Sequence, residues 1–68
     1  MRLFDLQPGD AVRVLALPAA LLPLGIAPGE RLSLVLKQHS LVVVDTGGAR
    51  FALCRELAEQ IIVKAPLA

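Results

Sequence analysis

A proline-glycine pair followed by an acid occurs twice in this chain, at Pro8-Gly9-Asp10 and again twenty residues later at Pro28-Gly29-Glu30. Proline presets φ for the second position of a turn, and glycine supplies the positive φ that the third position of a type II turn requires. Each copy reads as a tight turn feeding a strand. A third signal, Gly47-Gly48, is a two-residue hairpin between apolar runs. Three sharp reversals in so short a chain favour short antiparallel strands over long helices. Only the turn recurs at the twenty-residue spacing, so no solenoid repeat is expected.

The segments between the turns have strand periodicity. In Ala11–Leu17, Val12 and Val14 share one face and Arg13 and Leu15 the other. In Glu30–Lys37, Leu32, Leu34 and Leu36 alternate with Arg31, Ser33, Val35 and Lys37, which predicts the three leucines inward. Gln38-His39-Ser40 is a polar connection. Leu41–Thr46 and Ala49–Leu53 flank the Gly-Gly pair. If Thr46 faces Ala49, Asp45 faces Arg50, Val44 faces Phe51 and Val42 faces Leu53. One face is then apolar and the other carries an opposite-charge pair, whereas a one-residue slip loses both. Arg55–Glu59 reads as one helical turn, and Gln60–Lys64 as a last strand ended by Pro66. Pro18–Leu24 suits a short helical turn closed by Gly25, with Pro23 limiting its regularity. The expectation is a mostly-β single domain over residues 1–68: a small barrel of about five strands with one or two helical turns. An open five-stranded sheet is the alternative.

Size and charge restrict function. A chain of 68 residues has no room for a deep catalytic cleft, and a domain this small buries only about 60% of its unfolded surface. The chain is 56% hydrophobic, so some apolar side chains are expected outside, where a contiguous patch marks an interface. Net charge is +1, the seven bases are dispersed, and there is no Trp or Tyr. Nucleic-acid binding wants a clustered basic face or stacking aromatics, so it is set aside. The single cysteine, Cys54, has no internal partner for a disulfide. The N-terminal residues lack a signal-peptide core. The longest uncharged run, Val14–Gly29, is broken by prolines and glycines and is too short for a membrane span. A cytoplasmic protein without membrane insertion is expected.

Catalysis has few candidates. His39 reads as an exposed turn residue and Cys54 as a small buried hydrophobe, with no orienting group or oxyanion hole evident for either. His39 and Cys54 fall short of the four ligands of a structural zinc site, and the acids are scattered. The Gly-Gly pair is not followed by the Lys-Ser/Thr of a phosphate loop. No enzyme activity, metal site or cofactor is expected. The uncharged run from Pro18 to Leu24 stands out. Leu21 and Leu22 cannot point the same way on a helical turn, so something apolar must face outward. Leu21, Leu22 and Leu24 are therefore the candidate partner-docking residues.

The stretch Leu22-Pro23-Leu24-Gly25-Ile26-Ala27-Pro28-Gly29-Glu30 resembles the Leu-Gly-[Ile/Leu/Met]-x-Pro-Gly segment of FeoA-type proteins. Leu3-Phe4-Asp5-Leu6-Gln7-Pro8-Gly9 resembles their opening Leu-x-x-Leu-x-Pro-Gly. Gly48, Ala52, Leu53, Ala58, Ile61 and Val63 match a later Gly-x-x-x-Ala-Leu-x-x-x-x-Ala-x-x-Ile-x-Val. The three pieces follow in order over nearly the whole chain. The resemblance implies an SH3-like barrel and a cytoplasmic, non-enzymatic accessory protein of bacterial ferrous iron transport. It also implies a partner, the cytoplasmic part of the FeoB permease. The same module ends DtxR-type repressors, which leaves a metal-sensing module as an alternative. A homo-oligomer joined through the same leucines is another. Family members often carry a longer, charged helix before Leu-Gly; here that region is short, uncharged and interrupted by Pro23.

Overall fold

The two Pro-Gly turns share the same set of backbone hydrogen bonds. The computed structural model describes residues 1–64. In each turn the acid's N–H closes onto the residue three before it: Asp10 onto the Gln7 carbonyl and Glu30 onto the Ala27 carbonyl, both at 3.0 Å. Gly9 and Gly29 have φ of 98° and 88°, a region in which a side chain is strained. Each turn then grips the other's strand. Gly9 N–H donates to Leu34 O and Leu34 N–H to Asp10 O; Gly29 N–H donates to Val14 O and Val14 N–H to Glu30 O. Val12 and Leu32 face each other at the centre of this exchange. The repeated tripeptide thus marks an approximate two-fold relation between β1 (Ala11–Ala16) and β2 (Arg31–Lys37). More than the turn recurs: a 3₁₀ segment precedes each, at Leu3–Asp5 and at Ala19–Leu24.

β3 (Leu41–Asp45) and β4 (Arg50–Cys54) complete a meander, α1 (Arg55–Ala58) is one turn, and β5 (Ile62–Val63) pairs back on β1. The five antiparallel strands form one sheet in the order β4-β3-β2-β1-β5. β1 serves two neighbours, giving residues 11–13 to β2 and, past an irregularity after Val14, residues 14–16 to β5. The irregularity lets one strand join both halves of the sheet. All five strands send their inner side chains into one core, whose fully buried members include Leu3, Leu6, Ile26, Leu32, Val44 and Ile61. The expected mostly-β architecture is what the chain adopts.

The β3–β4 hairpin has the expected register, with Asp45 opposite Arg50, Val44 opposite Phe51 and Val42 opposite Leu53. Gly47 takes φ 91°, Asp45 Oδ1 accepts from Gly47 N–H at 2.7 Å, and the Asp45–Arg50 pair closes at 3.4 Å.

β2 departs from simple alternation. Its pairing with β3 runs Leu34↔Val44 and then Leu36↔Val43, so β2 carries one extra residue. A bulge of this kind inverts the parity of everything beyond it. Leu36, expected inside, is 43% exposed, and Val35 is exposed beside it. Lys37, expected outside, turns in: its Nζ donates to Leu6 O at 3.2 Å and lies 4.9 Å from the Phe4 ring centroid. Cys54 is a second correction. It ends β4 on the outer face, opposite Leu41, and is exposed. Pro66, expected to end the last strand, lies outside the described residues.

Candidate functional site

The 3₁₀ segment Ala19–Leu24 starts after Pro18, whose extended ψ of 141° sets it off from the strand, and ends at Gly25. Pro23 has no N–H to give a longer helix, which holds the segment to a tight, short form. With about three residues per turn, Leu21 and Leu24 lie on one side and Leu22 on another. Burial decides which of them matter. Leu21 is 3% exposed and belongs to the core, so it leaves the candidate surface. Leu22 is 51% exposed and Leu24 40%. Leu24 stays out although it shares a side with Leu21, because it stands at the last position before the chain reverses at Gly25. Ile26, just beyond, is fully buried and anchors the reversal.

A second group of exposed apolar residues lies just before this segment in the chain, at the end of β1, and on β5, which pairs with β1 there. The irregularity in β1 sets Leu15 and Ala16 against Ile62 on the outer face, and all three are exposed. The chain passes from Ala16 through Leu17 and Pro18 directly into Ala19–Leu24. Along the chain from Leu15 to Leu24 there is thus no charged residue, and Leu15, Ala16, Leu22 and Leu24 are exposed on it.

Elsewhere on the sheet the exterior is more polar. A groove of about 380 Å³ on the outer side of β2 and β3 is lined by Arg31, Ser33, Val35, Asp45, Thr46 and Gly47. At the end of the barrel near the N-terminus, the Phe4 ring is held between two cations. The Arg55 guanidinium carbon is 4.7 Å from its centroid and Lys37 Nζ 4.9 Å. Arg55 also donates from Nη1 to His39 O at 3.3 Å and pairs with Glu59 at 3.6 Å. These cations are already engaged in joining α1, the β2–β3 loop and the first 3₁₀ turn. Each cation–π contact at such a surface is worth about 0.5–1 kcal/mol.

The residues first considered for chemistry are dispersed. His39 lies exposed in the β2–β3 loop and Cys54 exposed at the end of β4. Among the described residues no three His, Cys, Asp or Glu side chains gather as metal ligands. Asp10 has a local structural task, its Oδ2 accepting from Gln7 N–H at 2.9 Å. No described helix is long and apolar enough to cross a membrane. The Leu15–Ala16–Ile62 cluster is the part of the surface that sequence reading missed. Its signal was weak, since Leu15 sits correctly on the outer face of an alternating strand and looked like ordinary surface.

The FeoA domain model matches residues 1–65, and the chain belongs to that family. No curated protein matches it. Among solved structures it is similar to a crystal structure of an iron uptake regulatory protein, FeoA. There the TM-score is 0.88 at 25% identity, covering 98% of this chain and 96% of that one. It is also similar to the solution structure of FeoA from Chlorobium tepidum, with TM-score 0.83, 27% identity, and 93% and 68% coverage. The solution structure of iron(II) transport protein A from Clostridium thermocellum gives TM-score 0.83 at 26% identity, covering 94% of this chain and 44% of that one.

Proposed function

We propose that this FeoA-domain chain is a non-enzymatic accessory protein of bacterial ferrous iron transport that acts in the cytoplasm by docking on the cytoplasmic part of a FeoB-type permease. Family membership over residues 1–65 supports the transport role, as do neighbours described as an iron uptake regulatory protein and an iron(II) transport protein A. The docking surface in this reading centres on Leu22 and Leu24, which are both exposed in one uncharged segment.

One observation carries the choice of surface. The first 3₁₀ turn precedes the same Pro-Gly device as the second, yet it faces water with charge. Arg2, the extended residue just before that turn, is exposed and pairs with Asp5 within it at 3.7 Å. The fold therefore builds this element with a polar exterior at one of its two sites. At the other, Leu22 and Leu24 leave apolar surface in water within one uncharged segment, and a contiguous exposed apolar patch points to a partner. Burying such a side chain contributes about 1.5–3 kcal/mol, enough for two or three of them to anchor a transient complex.

The test is a titration against the soluble GTP-binding domain of the permease from the same cell. Saturable binding is expected, weakened at least about tenfold by Leu22→Asp and unchanged by Arg2→Ala. A folded Leu22→Asp protein that binds as the parent does would remove this surface. Absence of binding by the parent would remove the permease domain as partner.

A further inference from the structure

The sheet has two ends, and they are finished differently. At β5 the outer edge is occupied by the N-terminus. Val63 N–H donates to Met1 O at 2.7 Å, Leu3 N–H donates to Ile61 O at 2.8 Å, and Arg2 bridges to Ile62. At β4, among the described residues, no strand pairs with the outer edge. The hairpin sets which groups point there. Thr46 N–H bonds Ala49 O, so Phe51 and Leu53 direct their main chains toward β3, and Arg50, Ala52 and Cys54 direct theirs away from it. All three are exposed.

Natural edge strands are commonly blunted by proline, lysine or a bulge. β4 has none of these. Its pairing with β3 is unshifted over all five residue pairs, whereas β1 and β2 are both irregular. The one charge on β4, Arg50, is drawn back toward β3 by Asp45 at 3.4 Å. The middle residue is alanine, which lets another backbone approach closely.

We propose that β4 is a self-pairing edge, on which a second copy of this chain adds its own β4 antiparallel about a two-fold axis at Ala52. Three observations select a second copy. The occupied β5 edge rules out head-to-tail extension, which leaves β4-to-β4 pairing and a closed dimer. That pairing is self-complementary: each Ala52 exchanges N–H and C=O with its counterpart, and each Cys54 N–H meets the Arg50 carbonyl of the other copy. The outer face is continuous across the seam. Leu36 faces Val43 and Val43 faces Ala52, so an apolar row on β2, β3 and β4 runs to the edge and meets the same row of the second copy. Neither Leu22 nor Leu24 takes part, so the pairing is independent of the docking surface.

Sedimentation velocity on the full chain, from micromolar to millimolar concentration, tests the idea. A reversible monomer–dimer equilibrium is expected. Ala52→Pro removes an N–H that β3 does not use, so the fold should persist by circular dichroism while dimerisation weakens at least about tenfold. If that variant does not fold, Ala52→Lys sets like charges across the axis and should weaken it similarly. Ala52→Cys in a Cys54→Ser background should oxidise to a covalent dimer, since opposed hydrogen-bonded residues place their Cα atoms within disulfide reach. A parent that stays monomeric throughout, a dimer unaffected by the substitution at Ala52, or a dimer dissolved by Leu22→Asp would each overturn the proposal.

Discussion

The two 3₁₀-plus-turn units, residues 1–10 and 19–30, perform the same structural task with different surfaces. Both reverse the chain at Pro-Gly, both donate from the glycine N–H into the strand begun by the other, and both drop two residues into the core, Leu3 and Leu6 or Leu21 and Ile26. They differ in what they show to water. The first carries Arg2 and Asp5 in an ion pair and clasps Phe4 between two cations; the second carries no charge before Glu30 and leaves Leu22 and Leu24 bare. A shared backbone with divergent exteriors separates what folding needs from what it does not.

The comparison breaks most sharply in the core. Leu6→Ala and Ile26→Ala each remove a fully buried aliphatic side chain at matching places. Each should cost about 2–5 kcal/mol in urea unfolding. If one is nearly neutral, the two units are not equivalent supports and the two-fold relation is only geometric. The turns come next. No heavy atom lies within 4 Å of a Cβ built on Gly9 or Gly29, so alanine there meets only backbone strain at positive φ. Each substitution should destabilise by about 1–2 kcal/mol. Unequal costs would show that one reversal tolerates rearrangement.

How far the sequence disclosed this molecule depended on whether a feature left a mark on residue type. The hairpin register was legible because Gly47-Gly48 fixed the turn while Asp45–Arg50 and Val44–Phe51 rewarded one alignment. Val12 and Val14 were legible through alternation. The bulge at Val35 was not, since an extra apolar residue in an apolar strand changes no composition; it exchanged the expected places of Leu36 and Lys37. Cys54 was misplaced because a lone thiol suits either environment. At the candidate site, sequence reading narrowed the surface to one uncharged segment, and only packing could show that Leu21 turns inward while Leu22 turns outward. The two-fold exchange of bonds was half visible, as a repeated tripeptide whose partners lie far off in sequence.

A smaller effect should separate the turns' acids. Asp10 is short enough for its carboxylate to reach back to Gln7 N–H, so Asp10→Ala should cost about 1 kcal/mol. Glu30 is matched to the turn through its backbone, and Glu30→Ala should stay within about 0.5 kcal/mol, as surface changes usually do. The second turn has another tie instead, from Arg13 Nη1 to Gly29 O at 3.0 Å. Equal losses in thermal unfolding would mean that Glu30 finds a partner its longer side chain reaches in solution.

The smallest expected change in stability bears most directly on function. Leu22→Arg puts a charge on the exterior of the second unit, as Arg2 and Asp5 do on the first. Because Leu22 is half exposed, unfolding free energy should shift by no more than about 0.5 kcal/mol in either direction. Over the same substitution, binding to the permease domain should be lost. A stability effect near zero with binding lost would assign that leucine to a partner. A loss of 2 kcal/mol or so, the cost of disturbing a buried aliphatic, would instead make Leu22 part of the packing. The unlike exteriors of the two units would then reflect packing at Leu22 and not a partner.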